Sequence, residues 1–140
     1  MVQPYLSSVD AKGETALVYL AGEFHHAVHK RAVLRPDEMA PMRDDEIGGA
    51  EVMYGPDIVR PGTANVREIA VATQAIAYLR DRFDVAPLYA RVDIVTDERG
   101  DPVILEFEAV EPNLFLGFAD GAADRLAEAI LAPGSPAPSA

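Results

Sequence analysis

Two β-type runs one turn apart constrain this chain more than any other feature: YARVDIV at residues 89–95 and PVILEFEAV at residues 102–110, separated by TDERGD. A loop around Gly100 makes them an antiparallel hairpin, with residues 98–101 as a four-residue connection. In that register Asp93 stands opposite Glu106 and Arg91 opposite Glu108. Period two then gathers Tyr89, Arg91, Asp93, Glu106 and Glu108 on one face and Val92, Ile94, Leu105 and Phe107 on the other. The apolar face is the core side. The charged face needs a compensating cation, because opposed like charges in a sheet cost about 0.2–1 kcal/mol per pair in water and more once desolvated. Two arrangements supply it. Either the face is solvated and Arg91 pairs with the nearest acid, or a hard dication such as Mg²⁺ takes carboxylate oxygens and completes its shell with water and substrate phosphates.

The rest of the chain reads as support for such a sheet. TALVYLA (15–21) and FHHAVHK (24–30), broken at Gly22-Glu23, form a second hairpin. Residues 31–62 carry four prolines, the pair Gly48-Gly49 and the acidic run Asp44-Asp45-Glu46, which suits an extended excursion. Asn65 and Glu68 make a capping box, and Val66, Ile69, Thr73, Ile76, Leu79 and Phe83 recur at helical spacing, which predicts a helix over residues 64–82. A second helix over 120–131 has an apolar stripe at Ala123, Leu126, Ala127, Ile130 and Leu131, with Asp120 as its N-cap. The expected architecture is α+β: one domain over residues 1–132, an antiparallel sheet with helices packed on one face and the carboxylate face open, then a flexible Pro/Ser/Ala tail over 133–140.

Composition removes several function classes. A net charge of −11 repels nucleic-acid phosphates and anionic lipid surfaces, so neither nucleic acid nor membrane is an expected partner. With no cysteine, thiolate metal sites and cysteine nucleophiles are excluded. The start of the chain has neither a basic n-region nor an apolar h-region, and no apolar run approaches the ~20 residues of a membrane helix, so the cytoplasm is the expected location. On a regular strand His25 and His29 share a face and His26 points away, which leaves no three convergent zinc ligands in that segment. The glycines lack both the P-loop and the G-x-G-x-x-G pattern, and Ser7 and Ser8 lack a nucleophile signature.

Arg91-Val92-Asp93 followed by Glu106-Phe107-Glu108, with thirteen residues from Asp to Glu, and then Glu111-Pro112-Asn113-Leu114-Phe115, resembles the metal-binding end of the ATP-grasp superfamily. Val2-Gln3-Pro4-Tyr5 resembles the segment that holds adenine in that family, Gly13-Glu14 its ribose-binding G-E, and GEFHHAVHKRA (22–32) the G-E-F-S-H-A-V-x-K strand of glutathione-synthetase-like and cycloserine-pathway-like members, with His25 in place of Ser. The resemblance implies the C-terminal subdomain of a carboxylate–amine ligase whose front subdomains are missing. It implies ATP and Mg²⁺ (or Mn²⁺) as cofactors, a small carboxylate substrate, and an acyl phosphate on the way to an amide. The carried-over residues are Asp93, Glu106 and Glu108 for the metal, Arg91 for phosphate or acyl-phosphate oxygens, Lys30 toward the phosphates or the acyl acceptor, and Gln3, Tyr5 and Glu14 for the nucleotide. Glu108 stands where many members have Asn. A chain of this extent is expected to be inactive alone and to need a complementary N-terminal half or a second copy. The alternative is a non-catalytic remnant or interaction module that retains the fold.

Overall fold

The computed structural model describes residues 5–32 and 58–132, so Gln3, most of the 31–62 excursion and the 133–140 tail lie outside the described residues. The first hairpin consists of β1 (Glu14–Leu20) and β2 (Glu23–Lys30). Its two-residue turn has positive φ at both Ala21 (53°) and Gly22 (78°), the backbone that matches the twist of flanking strands. β3 (Val59–Gly62) pairs with β2, and the second predicted hairpin is β4 (Tyr89–Thr96) with β5 (Pro102–Glu108). Every neighbouring pair is antiparallel in one five-stranded sheet, β3-β2-β1-β4-β5. β1 is the central strand, and Ala16 to Tyr19 have no solvent exposure, which is why this run alone is apolar at almost every position.

Helix α2 (Val66–Phe83) begins where the capping box predicts. Asn65 Oδ1 accepts from the amides of Arg67 (2.9 Å) and Glu68 (3.1 Å), and the Asn65 amide donates to Glu68 Oε2 (2.7 Å). The helix stops at Asp84, whose left-handed backbone turns the chain toward β4. Its Ala72 and Ile76 pack on Leu17, Tyr19, Ala27, Ala90, Val92 and Ile94, and the buried Tyr19 hydroxyl is satisfied by Thr73 Oγ1 at 2.9 Å. Each large side chain buried here contributes about 1.5–3 kcal/mol, so this layer is the main source of the sheet's stability. The opposite face carries a smaller cluster, Ala16, Val28, Ile58, Val59 and Phe115, beside the charged residues. A short helix α1 (Ser8–Lys12) precedes β1, and a 3-10 turn (Leu116–Phe118) leads into α3 (Ala122–Leu131).

Three local expectations are corrected. In the β4–β5 pair Asp93 faces Glu106 and Arg91 faces Glu108 as expected, but the register shifts between Asp93 and Ile94, so that Ile94 faces Ile104 and Leu105 is an extra, bulged residue. The loop is therefore five residues, 97–101, and Ile104 rather than Leu105 lies beside Val71, Ala75 and Leu79 of α2. α3 is preceded by Gly121 in a left-handed conformation, not capped by Asp120, and its buried residues are Ala122 and Ala129 while Ile130 and Leu131 are exposed. The two small alanines allow close approach that the larger members of the predicted stripe would block. Finally, β2 is bulged at His25, since Val18 faces His26 and Tyr19 faces Phe24. Among the described residues no helix is long and apolar enough to cross a membrane.

Candidate functional site

Alternation along four strands assembles the site. Because Glu14 faces Lys30, Ala16 faces both Val28 and Asp93, and Val18 faces Arg91, the side chains of Glu14, Lys30, Arg91, Asp93, Glu106 and Glu108 share the face opposite α2. Arg91 is at its centre. Its Nε lies 2.8 Å from Asp93 Oδ1 and its Nη2 3.0 Å from Asp93 Oδ2, a bidentate pair between strand positions i and i+2. Nη2 is also 2.8 Å from Glu108 Oε1 and 3.4 Å from Glu106 Oε2, and Nη1 donates to the Asn113 carbonyl at 3.3 Å. The guanidinium stands 5.8 Å from the centre of the Phe115 ring. Lys30 Nζ bridges Asp93 Oδ2 (2.6 Å) and Glu14 Oε2 (2.8 Å).

Asp93 is fully buried, and both its oxygens are engaged by these two cations. Burial alone would lower the pKa of Lys30, but Asp93 and Glu14 outweigh it and the net shift is upward. Arg91 behaves alike: burial works against its charge, Asp93 and Glu108 for it, and the pKa is raised. Both therefore remain cationic across the physiological range. Glu106 is pushed up by burial first, then by repulsion from Glu108 and Asp93, which Arg91 only partly offsets.

A cavity of about 430 Å³ opens over this charged floor. Lys30, Arg91, Glu106 and Glu108 line it together with Glu111 and Asn113, and Val59 and Phe115 form its apolar side. A second cavity of about 310 Å³ shares Val59, Asn113 and Phe115 and continues along Leu116, Gly117 and Phe118. Of the sequence-predicted residues, Lys30, Arg91, Glu106 and Glu108 come together at the cavity, Asp93 lies beneath it, and Glu14 is placed through Lys30. Tyr5 does not line it: the ring is 72% exposed and its hydroxyl bonds to Asp10. Residues given no role by the sequence, Val59, Glu111, Asn113 and Phe115, complete the walls. Glu111 (φ 55°) and Phe115 (φ 49°) are both non-glycine residues in the left-handed region, a backbone cost of the kind that collects at functional sites. Asn113, between them, caps the Phe115 amide with its side-chain oxygen at 2.9 Å. The histidines disperse: His26 shares the site face with Val28 and Lys30, whereas His29 meets Thr15, which in turn bonds Glu68 of α2.

Carboxylate oxygen is the donor type that hard dications take. Five carboxylates, Glu14, Asp93, Glu106, Glu108 and Glu111, surround two cations, Lys30 and Arg91, which leaves the site an excess of negative charge. In the arrangement described no group of three or more acids or histidines closes into a cage among the described residues, since Arg91 and Lys30 hold Asp93.

No family profile matches the chain. The chain is 34% identical over 130 residues to the cycloserine biosynthesis protein DcsG of Streptomyces lavendulae, an alignment that takes in 93% of this chain and 40% of DcsG. The crystal structure of D-cycloserine synthetase DcsG superposes with a TM-score of 0.77 at 35% identity, over 91% of this chain and 40% of that one. A D-alanine–D-alanine ligase from Bacillus anthracis, solved with ATP, gives a TM-score of 0.47 at 16% identity over 84% of this chain and 36% of its own. The chain thus spans about 40% of the length of the curated relative it matches. The likeness to 40% of DcsG, an ATP-grasp ligase, is consistent with a C-terminal portion of such a ligase, and the five-stranded antiparallel sheet with packed helices matches the fold of an ATP-grasp C-terminal subdomain.

Proposed function

We propose that the charged face is the phosphate- and metal-binding half of an ATP-dependent carboxylate–amine ligase that works through an acyl phosphate. The observation that supports this best is the buried Arg91, fixed by Asp93 and Glu108 at the floor of a cavity whose other charged walls are Lys30 and the acids Glu106, Glu108 and Glu111. Arg91 and Lys30 present oriented positive charge to phosphate or acyl-phosphate oxygens, and being held beforehand they need little reorganisation when charge develops there. Glu106, exposed, and Glu108, half-buried, would be the oxygen donors for Mg²⁺ or Mn²⁺, with Asp93 behind them; ligation by Asp93 itself requires giving up a contact to Lys30 or Arg91. The dication supplies charge neutralisation between phosphate groups. Gln3, Tyr5 and Glu14 remain the candidates for nucleotide contacts, Glu14 being released from Lys30 to take that role.

Acyl phosphate formation needs the transferring group held from both sides and shielded from water. This face presents one side and an open groove. The isolated chain therefore binds Mg²⁺ and ATP weakly and turns over a small carboxylate only when a complementary half is supplied. Titrating Mn²⁺ into the chain with and without ATP tests the reading: binding that weakens in Glu106→Ala and Glu108→Ala supports it. No binding, or binding indifferent to both substitutions, makes the chain a non-catalytic module that keeps the fold.

A further inference from the structure

The wall of the cavity at residues 113–115 is held by side chains that rise from the sheet. Arg91 donates to the Asn113 carbonyl, and one residue further on His26 Nε2 lies 3.1 Å from the Leu114 carbonyl. A carbonyl only accepts, so Nε2 carries the proton. That leaves Nδ1 as the acceptor, and His25 Nδ1 stands 2.9 Å from it, the two rings edge to face. His26 is only 8% exposed, and the residue after its partner carbonyl is Phe115, whose ring is buried beside Arg91.

The bulge in β2 is what brings His26 here. With Tyr19 facing Phe24, an unbulged strand would set His25 against Val18 and His26 against Leu17, on the α2 side. The extra residue returns His26 to the site face at the cost of a regular ladder. Two sheet residues on the same face, two strands apart, thus grip successive carbonyls of one wall.

We propose that His26 is a positioning residue: its Nε2–H fixes the seat of residues 113–115 and, through Asn113 and Phe115, the placement of Arg91 in the cavity. The relevance to catalysis rests on the ligase reading above; the structural coupling does not. Protonating His26 would place an N–H at Nδ1 against His25 and force His25 to change tautomer, so the seat is sensitive to pH. On the His26 face Arg91 holds the acids Asp93, Glu106 and Glu108. β2 contributes His25, β1 the apolar Val18, the wall its backbone, and Arg91 stands on the same face across β1. Burial and then His25 hold the His26 pKa below its ordinary 6.5, so the neutral form prevails near pH 7.

The test follows the backbone amides of Asn113, Phe115 and Gly117 and the Arg91 side-chain Nε–H by ¹H–¹⁵N NMR on the whole chain without ligand, from pH 8 to pH 5. In the parent these signals should move with the His26 imidazole. His26→Gln, whose amide can still donate to Leu114 but does not titrate, should keep the pH 8 positions and lose the pH response. His26→Leu should displace the signals at every pH and weaken Mn²⁺ binding about fivefold, the loss of one ordinary hydrogen bond. Wall signals in His26→Leu that match the parent, or a pH response that persists in His26→Gln, would overturn the proposal. If the parent binds no Mn²⁺, the ligase reading fails while the amide signals still decide this one.

Discussion

Asp93→Asn is the substitution on which the electrostatic account of the site stands. Asp93 is fully buried and receives three charge-assisted contacts, from Arg91 Nε (2.8 Å), Arg91 Nη2 (3.0 Å) and Lys30 Nζ (2.6 Å). Removing one partner from a buried pair costs about 3–5 kcal/mol, because the other charge is left uncompensated. Here the penalty falls toward the lower end, since Arg91 keeps Glu108 at 2.8 Å and Lys30 keeps Glu14 at 2.8 Å. We expect a loss of about 3 kcal/mol, read as a lower urea midpoint at unchanged slope, or a fall in Tm of about 10 °C for a chain of this size. The solvent-exposed pair Arg67–Asp101, with side chains 61% and 52% exposed, is the internal control. Asp101→Asn should cost about 0–1 kcal/mol and less still in high salt. If Asp93→Asn is as mild as Asp101→Asn, then Asp93 is not desolvated in the folded chain and the account of a preorganised Arg91 fails.

Gly13→Ala should cost more than about 2 kcal/mol by urea unfolding, because Gly13 has φ +73° and an added Cβ would lie 2.2 Å from the Lys30 carbonyl oxygen; a near-neutral result would mean that the junction of α1 and β1 is misplaced. Asn65→Ala removes the acceptor for two amides at the start of α2, and a loss of about 1 kcal/mol is expected at the urea midpoint. Since the folded His26 sits below the ordinary 6.5, the unfolded chain binds more protons beneath that value. Its contribution to stability is full above pH 6.5 and is lost as the pH falls from there through the folded value. Urea midpoints at pH 7.5 and 5.5 should therefore differ more in the parent than in His26→Gln, and equal differences would contradict the assignment.

The parts of the fold visible in the sequence are those governed by near neighbours. Strand pairing in both hairpins follows from period two and short turns, and α2 from the reciprocal Asn65 and Glu68 cap. That Arg91, Asp93, Glu106 and Glu108 share a face follows from register alone. What escaped depends on contacts distant in the chain. Lys30 joins Arg91 at Asp93 because β2 and β4 flank β1, an adjacency that no local pattern encodes. Phe115 and Val59 wall the cavity by packing on Ala16 and Val28, and α3 turns its alanines inward because the space beside β1 and the 3-10 turn is tight. The metal role proposed for Glu106 and Glu108 rests on family likeness, since acids on a sheet face also describe an ordinary solvated surface.

The bulge at Leu105 divides the β4–β5 hairpin into two segments of opposite phase. Beyond it, toward residues 97–101, the strands can be shortened by paired residues or given a different loop while the acids keep their orientation, because the register at the site is reset at the bulge. Within it the count is rigid. Deleting Leu105 alone lets Ile104 keep facing Ile94 and Glu106 keep facing Asp93 in regular alternation, at the loss of the extra twist that the bulge supplies. Adding one residue between Leu105 and Glu106 offers no such escape unless the bulge widens, since a one-step slip would turn both glutamates toward the apolar layer under α2. Length variation in relatives of this chain should therefore gather at the tip of this hairpin and be absent around Leu105.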